Sequence, residues 1–253
     1  MFKRPVLLSL LAALAVALPL QSMLASLAPA AGSRPVKKAN QATLPIRVAG
    51  ARILLKDGFA LTPLGMRWRD GTRHRNWKDQ FGGYGKVGIS RDRSKVQASI
   101  PKVSRDRGET HAALVTSLVS FGDADITVRI KTARQLRVPQ PNPWEMGWVL
   151  WHYTNDAHFY YVILKQNGWE LGKEDPAYPG NQRFLVTDAY PKFRVGTWYT
   201  VHIRQVGATI TVWVDGAYLG TFTDQDRPYL HGSLGLYCED SAVHFDNVLV
   251  TQA

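Results

Sequence analysis

Apolar and polar residues alternate one by one along much of this chain. From Ala124 to Thr132, Ile126, Val128 and Ile130 fall on one face, and Thr127, Arg129 and Lys131 on the other. Trp198 to Arg204 sets Val201 and Ile203 against Thr200, His202 and Arg204. Thr209 to Val214 sets Ile210, Val212 and Val214 against Thr211 and Trp213. A period of two, rich in β-branched and aromatic residues, predicts half-buried antiparallel strands. The punctuation agrees: Val206-Gly207-Ala208 separates two of these segments as a tight hairpin would, and Asp215-Gly216 is a type I′ turn signal. No segment keeps a helical period, and no repeat recurs at a fixed spacing. The pattern predicts an all-β fold, a two-sheet antiparallel β-sandwich.

The N-terminal end follows a different pattern. Lys3 and Arg4 precede a stretch from Val6 to Leu20 that is apolar apart from Ser9 and Pro19, and Ala28-Pro29-Ala30 supplies small residues at the spacing a signal peptidase reads. Residues 1–31 are therefore expected to be a signal peptide, since the apolar run is shorter than the ~20 residues needed to span a bilayer. Residues 32–50 read as a flexible linker, and residues 51–253 as one β-sandwich domain. This predicts a secreted or periplasmic protein with no membrane span after cleavage. Cys238 is the single cysteine, so no intramolecular disulfide forms and the core must suffice, with or without a bound metal. Its simplest role is that of a small buried apolar residue.

Charge narrows the partners. The formal charge of +11 falls to +9 without Lys3 and Arg4, because residues 1–31 hold no acid. Such an excess favours a polyanion, and in an exported protein an acidic polysaccharide is preferred over nucleic acid. A solvated basic surface with no dedicated partner accounts for the charge equally well. A monomer is expected.

Several segments resemble a known superfamily. Gly196-Thr197-Trp198-Tyr199-Thr200-Val201 with Ile210-Thr211-Val212-Trp213-Val214-Asp215-Gly216 is similar to the hairpin of laminin G-like and concanavalin A-like domains. Gly232-Ser233-Leu234-Gly235-Leu236-Tyr237 and Phe245-Asp246-Asn247-Val248 resemble their closing strands, Asp57-Gly58-Phe59 with Trp68 their opening, and Trp148 to Tyr153 with Phe159-Tyr160-Tyr161 their central pair. The likeness runs from Ile53 to Val250 and implies a concanavalin A-like jelly roll. It is weak for activity, since the architecture hosts lectins, hydrolases, lyases and non-catalytic modules. It also implies a structural calcium shared by Asp57 and Asp246, with backbone carbonyls completing the six to eight oxygens the ion takes. A plain hydrogen bond from a neighbouring turn to Asp246 is the other reading.

The motif search removes several chemistries. No strand carries the Glu-x-Asp-x-Glu of family 16 glycoside hydrolases, which this sandwich resembles. Glu170 and Glu174 flank Gly172 and read as strand end and loop, while Glu239-Asp240 should point to opposite faces. There is no His-x-x-x-His zinc pair, no Gly-x-Ser-x-Gly elbow, and Gly82-Gly83-Tyr84-Gly85-Lys86 lacks the context of a phosphate loop. What remains suits a polysaccharide lyase, which neutralises a carboxylate, removes a carbon-bound proton and protonates a leaving oxygen. His152 and Tyr161 are the candidate catalytic residues. Arg129, Lys131, Arg134, Trp148, Trp151 and Lys165 are the candidate substrate-binding residues, Arg129 and Lys131 sharing one face, His152 the parity of Trp148, and Lys165 that of Tyr161. The nearest functional analogy is to jelly-roll polysaccharide lyases. Each of these aromatics, and His152, also fits a packing role.

The sequence thus points to a carbohydrate-active sandwich, a β-eliminating enzyme before a non-catalytic binding module. Its first testable consequence is processing: N-terminal sequencing of exported protein should begin near Ala31 or Gly32, and retention of Met1 would contradict the signal peptide.

Overall fold

The alternating segments pair edge to edge into two antiparallel sheets packed face to face. The computed structural model describes residues 50–90, 96–106 and 108–253. The expected signal peptide and nearly all of the expected linker lie outside these residues. In chain order the strands are β1 (Ile53–Asp57), β2 (Arg73–His74), β3 (Trp77–Phe81), β4 (Lys86–Ile89), β5 (Gln97–Ile100), β6 (Ala112–Phe121), β7 (Ala124–Gln135), β8 (Gly147–Asn155), β9 (His158–Lys165), β10 (Gly168–Glu174), β11 (Gln182–Asp188), β12 (Tyr199–Val206), β13 (Thr209–Val214), β14 (Ala217–Thr223), β15 (Gly232–Glu239) and β16 (Ser241–Gln252). The first sheet runs β14-β13-β12-β7-β16-β5-β4, with β1 also on β16; the second runs β11-β10-β9-β8-β15-β6-β3-β2. The expected concanavalin A-like sandwich is the fold observed. Among the described residues no helix is long and apolar enough to cross a membrane.

The predicted strands appear where alternation placed them. β7 keeps Ile126, Val128 and Ile130 buried and turns Arg129 and Lys131 outward, continuing to Gln135. The Asp215-Gly216 turn has φ of 49° and 84°, as a type I′ turn requires. Between the sheets, Val128, Val201, Ile203, Val212 and Phe245 of the first meet Trp151, Tyr160, Val162, Trp169 and Leu236 of the second. Cys238 is buried in that core.

The second sheet buries apolar side chains on both of its faces. Leu114, Met146, Trp148, Leu150, Tyr161 and Ile163 form a separate buried cluster on its outer face, flanked by Phe81, Trp144, Tyr153, Phe159 and Tyr237. This explains why β8 and β9 read as nearly continuous apolar runs, since a strand buried on both faces has no polar side to alternate.

One expectation needs correcting here. Glu170 and Glu174 do not mark a strand end and loop: both lie within β10, which pairs with β9 from Gly168 to Glu174 without a register break. Gly172 keeps the alternation, so both carboxyl groups share the outer face.

Two buried ion networks hold the connections. Arg137 bonds Glu145 and, at 2.6 Å, Asp240, and the backbone carbonyls of Asp106 and Glu109. Lys173, fully buried, donates to Asp224 at 2.8 Å and to the Asp226 carbonyl at 2.5 Å, while Tyr160 donates to the same Asp224 oxygen.

Asp79 is an exception to this economy. It is fully buried on β3, and neither carboxyl oxygen has a hydrogen-bond partner among the described residues. Burial, and secondarily the charge of Asp70, push its carboxyl up to about 7. An acid whose folded value is raised stabilises the fold below its ordinary range and loses that contribution as pH climbs through the folded value. Asp79→Asn removes the charge, so it should raise the melting temperature at pH 8, by up to about 4 kcal/mol of stability from a shift of this size, and the gain should vanish near pH 4. Thermal melts at the two pH values check this; an equal effect at both would contradict it.

Candidate functional site on the outer face of the second sheet

The centre of this face is organised around a residue without a side chain. Tyr161 on β9 stands opposite Gly172 on β10, and a Cβ added at Gly172 would lie 2.2 Å from the Tyr161 hydroxyl. The phenol therefore lies across β10, where it donates to Glu170 Oε1 at 2.7 Å and accepts from Gln182 Nε2 of β11 at 2.7 Å. Lys165 Nζ holds the other Glu170 oxygen at 2.7 Å. Burial, with Glu170 beside it, raises the Tyr161 phenol well above its ordinary value, so it remains a proton donor.

Glu174 is half-buried on the same face of β10. Burial first, then the like charge of Glu239, push its carboxyl up to about 8. Glu239, at the end of β15, shares the face with Tyr237, whose hydroxyl donates to Glu239 Oε1 at 2.6 Å. Burial is also the main cause raising Glu239, to about 7. Trp148 links the two halves, its ring centroid 4.8 Å from Tyr161 and 5.4 Å from Tyr237. On the β11 edge Phe184, registered with Gly172, is 57 % exposed, which leaves an open aromatic face of the sort that stacks on pyranose rings.

The expected site residues divide among four places. Tyr161, Trp148 and Lys165 come together on this face, as their parity implied. His152 does not join them. The β8–β9 register shifts between Trp151 and Asn155, His152 sits at φ 48°, and such a bulge breaks strand alternation. Its ring is buried, with Nδ1 2.7 Å from the Tyr229 carbonyl and Nε2 3.1 Å from that of Gly122. Burial lowers its pKa. The imidazole is thus a packed, hydrogen-bonded group beside Phe121 and Tyr160. Trp151 points between the sheets, fully buried, and donates to Gln205 Oε1 at 2.6 Å.

Arg129 and Lys131 face outward on the other sheet. Arg129 lies 4.7 Å and Lys131 5.0 Å from the Trp198 ring centroid; they share no groove with Tyr161. Arg134 is exposed further along β7, opposite Ala242 of β16. The candidate binding residues therefore lie on two surfaces of opposite sheets, because parity fixes a face within a strand but not which sheet the strand joins.

Asp57 and Asp246 do approach each other. Asp57 Oδ1 accepts from the Phe59 amide at 2.7 Å, and Oδ2 from Trp77 Nε1 at 3.0 Å and Asn76 Nδ2 at 3.3 Å. Burial chiefly raises the Asp246 carboxyl, with the Asp57 charge adding to it, while Arg129 at 3.7 Å opposes it. A Cβ on Gly58 would fall 3.6 Å from Asn247 Oδ1 and 4.0 Å from Asp246 Oδ1. The donors that meet there are hard oxygens, of the type calcium takes. Among the described residues no group of three or more His, Cys, Asp or Glu side chains is placed to hold a metal, so backbone carbonyls would have to complete the shell.

Glu170, Glu174, Gln182, Phe184 and Glu239 are the groups sequence reasoning missed. A signal existed: Glu170-Leu171-Gly172-Lys173-Glu174 sets two carboxylates on one strand face with a glycine between them.

Comparison with known proteins places this face in context. No curated protein sequence matches the chain. Among solved structures, the carbohydrate-binding module CBM66 from Bacillus subtilis is 13% identical, covering 75% of this chain and 100% of its own at a TM-score of 0.53. The non-specific endo-β-1,3(4)-glucanase SCLam of family GH16 is 12% identical, covering 83% and 94% respectively, at 0.53. The laminarinase catalytic domain from Thermotoga petrophila is 11% identical, covering 80% and 98%, at 0.51. At such identities the shared feature is the sandwich itself. The family model is more specific: residues 67–251, which carry every group on this face, match the 3-keto-alpha-glucoside-1,2-lyase-like domain. The chain belongs to that family, on a concanavalin A-like sandwich.

Proposed function

We propose that this protein eliminates the C1 substituent of a 3-keto-α-glucoside across C1 and C2 on the outer face of the second sheet. The carrying observation is the convergence of Tyr161, Glu170, Gln182 and Glu174 around Gly172, on the one sheet face that also holds Trp148 and Glu239. A ketone at C3 acidifies the C2 proton and lets the carbon–oxygen bond at C1 break without an oxidant or a metal. The reaction then needs donors for the ketone oxygen, an acid for the leaving oxygen and a base for the proton.

Gln182 has two amide protons and spends one on Tyr161. Its second proton is suited to the ketone oxygen, while the single Tyr161 proton is held by Glu170. Lys165 and Glu170 position the phenol. Glu174, half-buried and raised to about 8, is protonated at neutral pH and supplies the leaving-group proton. Phe184 offers a stacking face for the departing sugar.

A neutral sugar suits this face better than a uronate chain. Glu170, Glu174 and Glu239 stand on it with Lys165 as the sole expected cation, and a polyuronate would add further negative charge beside them. Export guided by residues 1–31, and action as a monomer, belong to the same proposal.

Leaving-group dependence tests the role of Glu174. Glu174→Gln should lower kcat about a hundredfold or more with a sugar leaving group, the usual scale for a lost general acid. It should change kcat little with 4-nitrophenol, which departs unprotonated. In the wild type, turnover of the sugar-leaving substrate should fall as pH rises above about 8, where Glu174 loses its proton. Enone absorbance monitors both. Equal losses with both leaving groups would contradict this role, and new unsaturated uronate ends from a polyuronate would restore the acidic-polysaccharide reading.

We also propose a structural calcium between Asp57 and Asp246, supported by the carboxylate and amide oxygens gathered there. The ion would join the opening strand to β16. A ligand bound only to the native state stabilises it, so excess chelator should lower the melting temperature of the metal-loaded protein, and Asp246→Asn should abolish that response. Unchanged melting would leave Asp57 as the acceptor for its three N–H donors.

A further inference from the structure

Glu239 is a buried acid of which the fold uses one oxygen, bonded by Tyr237. It is 3 % exposed, and its Oε2 has no hydrogen-bond partner among the described residues. A carboxyl oxygen left buried and unpaired is destabilising, and unlike Asp79 this one lies on the sheet face that carries Tyr161 and Trp148. Its neighbour shows the contrast. Asp240 turns the other way and is saturated: its carboxylate takes bonds from Arg137, Ser104 and the His111 amide. One of two adjacent acids is thus built into the frame, and the other is held against the sheet face with a vacant lone pair.

Three contacts place Glu239 in the site. The Tyr237 hydroxyl fixes Oε1 at 2.6 Å, the Tyr237 ring packs edge-on against Trp148, and Trp148 packs against Tyr161. A sugar ring set edge-on to this face, between Glu239 and the Tyr161–Gln182–Glu174 group, would turn one side to each. In an α-glucoside the C2 hydrogen and the C1 oxygen are both axial and on opposite faces of the ring, so base and acid must approach from opposite sides.

We propose that Glu239 is the base that removes the C2 proton, working across the sugar from Glu174. This rests on the elimination reading above. The C2–H electron pair becomes the C1–C2 double bond conjugated with the C3 ketone, the C1–O bond breaks, and its oxygen takes the Glu174 proton. The products are an enone and an alcohol, Glu239 ends protonated and Glu174 ionised, and solvent returns both to their starting forms. No oxidant or reductant enters.

The charged groups around Glu239 set its titration. Burial raises it most, and Tyr237 of its own strand opposes that through the hydrogen bond. Asp240 and Glu145 raise it further, and Arg137 lowers it. Burial raises both carboxyl groups, and the charge of Glu239 raises Glu174 further, so an ionised Glu239 keeps Glu174 protonated, the pairing that base and acid require.

The test is a pH–rate profile with a 3-keto-α-glucoside carrying a 4-nitrophenyl leaving group, which makes the acid dispensable and isolates the base. Wild type should show a single rise in enone formation near pH 7. Glu239→Gln should lose a hundredfold or more of kcat at unchanged or higher melting temperature, since it removes a buried charge. Tyr237→Phe should move the rise to higher pH, because the bond it deletes holds the Glu239 value down; a merely structural Tyr237 would leave the midpoint where it was. Wild-type turnover in Glu239→Gln, or an unmoved midpoint in Tyr237→Phe, overturns Glu239 as the base while leaving elimination intact. A wild type that forms no enone from this substrate overturns both.

Discussion

The absence of a side chain at Gly172 governs the outer face of the second sheet. Any β-carbon there would collide with the Tyr161 hydroxyl, forcing the ring off β10 and away from both Glu170 and Gln182. With the phenol displaced, Glu170 would keep Lys165 but lose its neutral donor, and Trp148 would lose the ring it packs against. A glycine within a strand usually costs stability. Here it admits a hydrogen-bonded phenol between two carboxyl groups, and the face takes its chemistry from that opening.

The charged groups behind this face do a different job. Lys173 points to the opposite side of β10 from Glu170 and Glu174 and ties the segment around Asp224–Arg227 to the sheet. Arg137 ties the turn at Asp240 to the segment leading into β8. Buried ion pairs of this type add little net stability but fix which conformation a connection adopts. In this protein the connections they fix carry Tyr229, which bonds the Glu174 carbonyl, and Asp240, which follows Glu239 directly. Both proposed acid–base residues are thus held by clamps on the reverse of their own strands.

The fold was legible because antiparallel strands write their two environments as alternation. β13 matched the reading end to end, β7 and β12 differed from it by at most three residues at an end, and Asp215-Gly216 made the turn its residue types demand. The site was legible only in part. Tyr161, Trp148 and Lys165 share a face as parity requires. Arg129 and Lys131 share their face of β7 but on the other sheet, since alternation does not reveal which sheet a strand enters. His152 was misplaced by a bulge with a positive φ, a backbone feature that an ordinary His-Tyr-Thr run does not announce. Glu170 and Glu174 read as strand end and loop because Gly172 and Asp175-Pro176 look like loop residues. Pairing to β9, a long-range contact, makes the segment a strand.

The central claim is that this face removes a proton from a sugar carbon beside a ketone. Proton removal can be observed apart from elimination by using a 1-deoxy-3-keto-glucose in deuterated water, where no leaving group is present and exchange at C2 is the whole reaction. Proton NMR should show the C2 signal disappearing with wild-type protein far faster than in buffer, and at the buffer rate with Glu239→Gln. A C2 signal that persists with the wild type at the buffer rate would contradict the account.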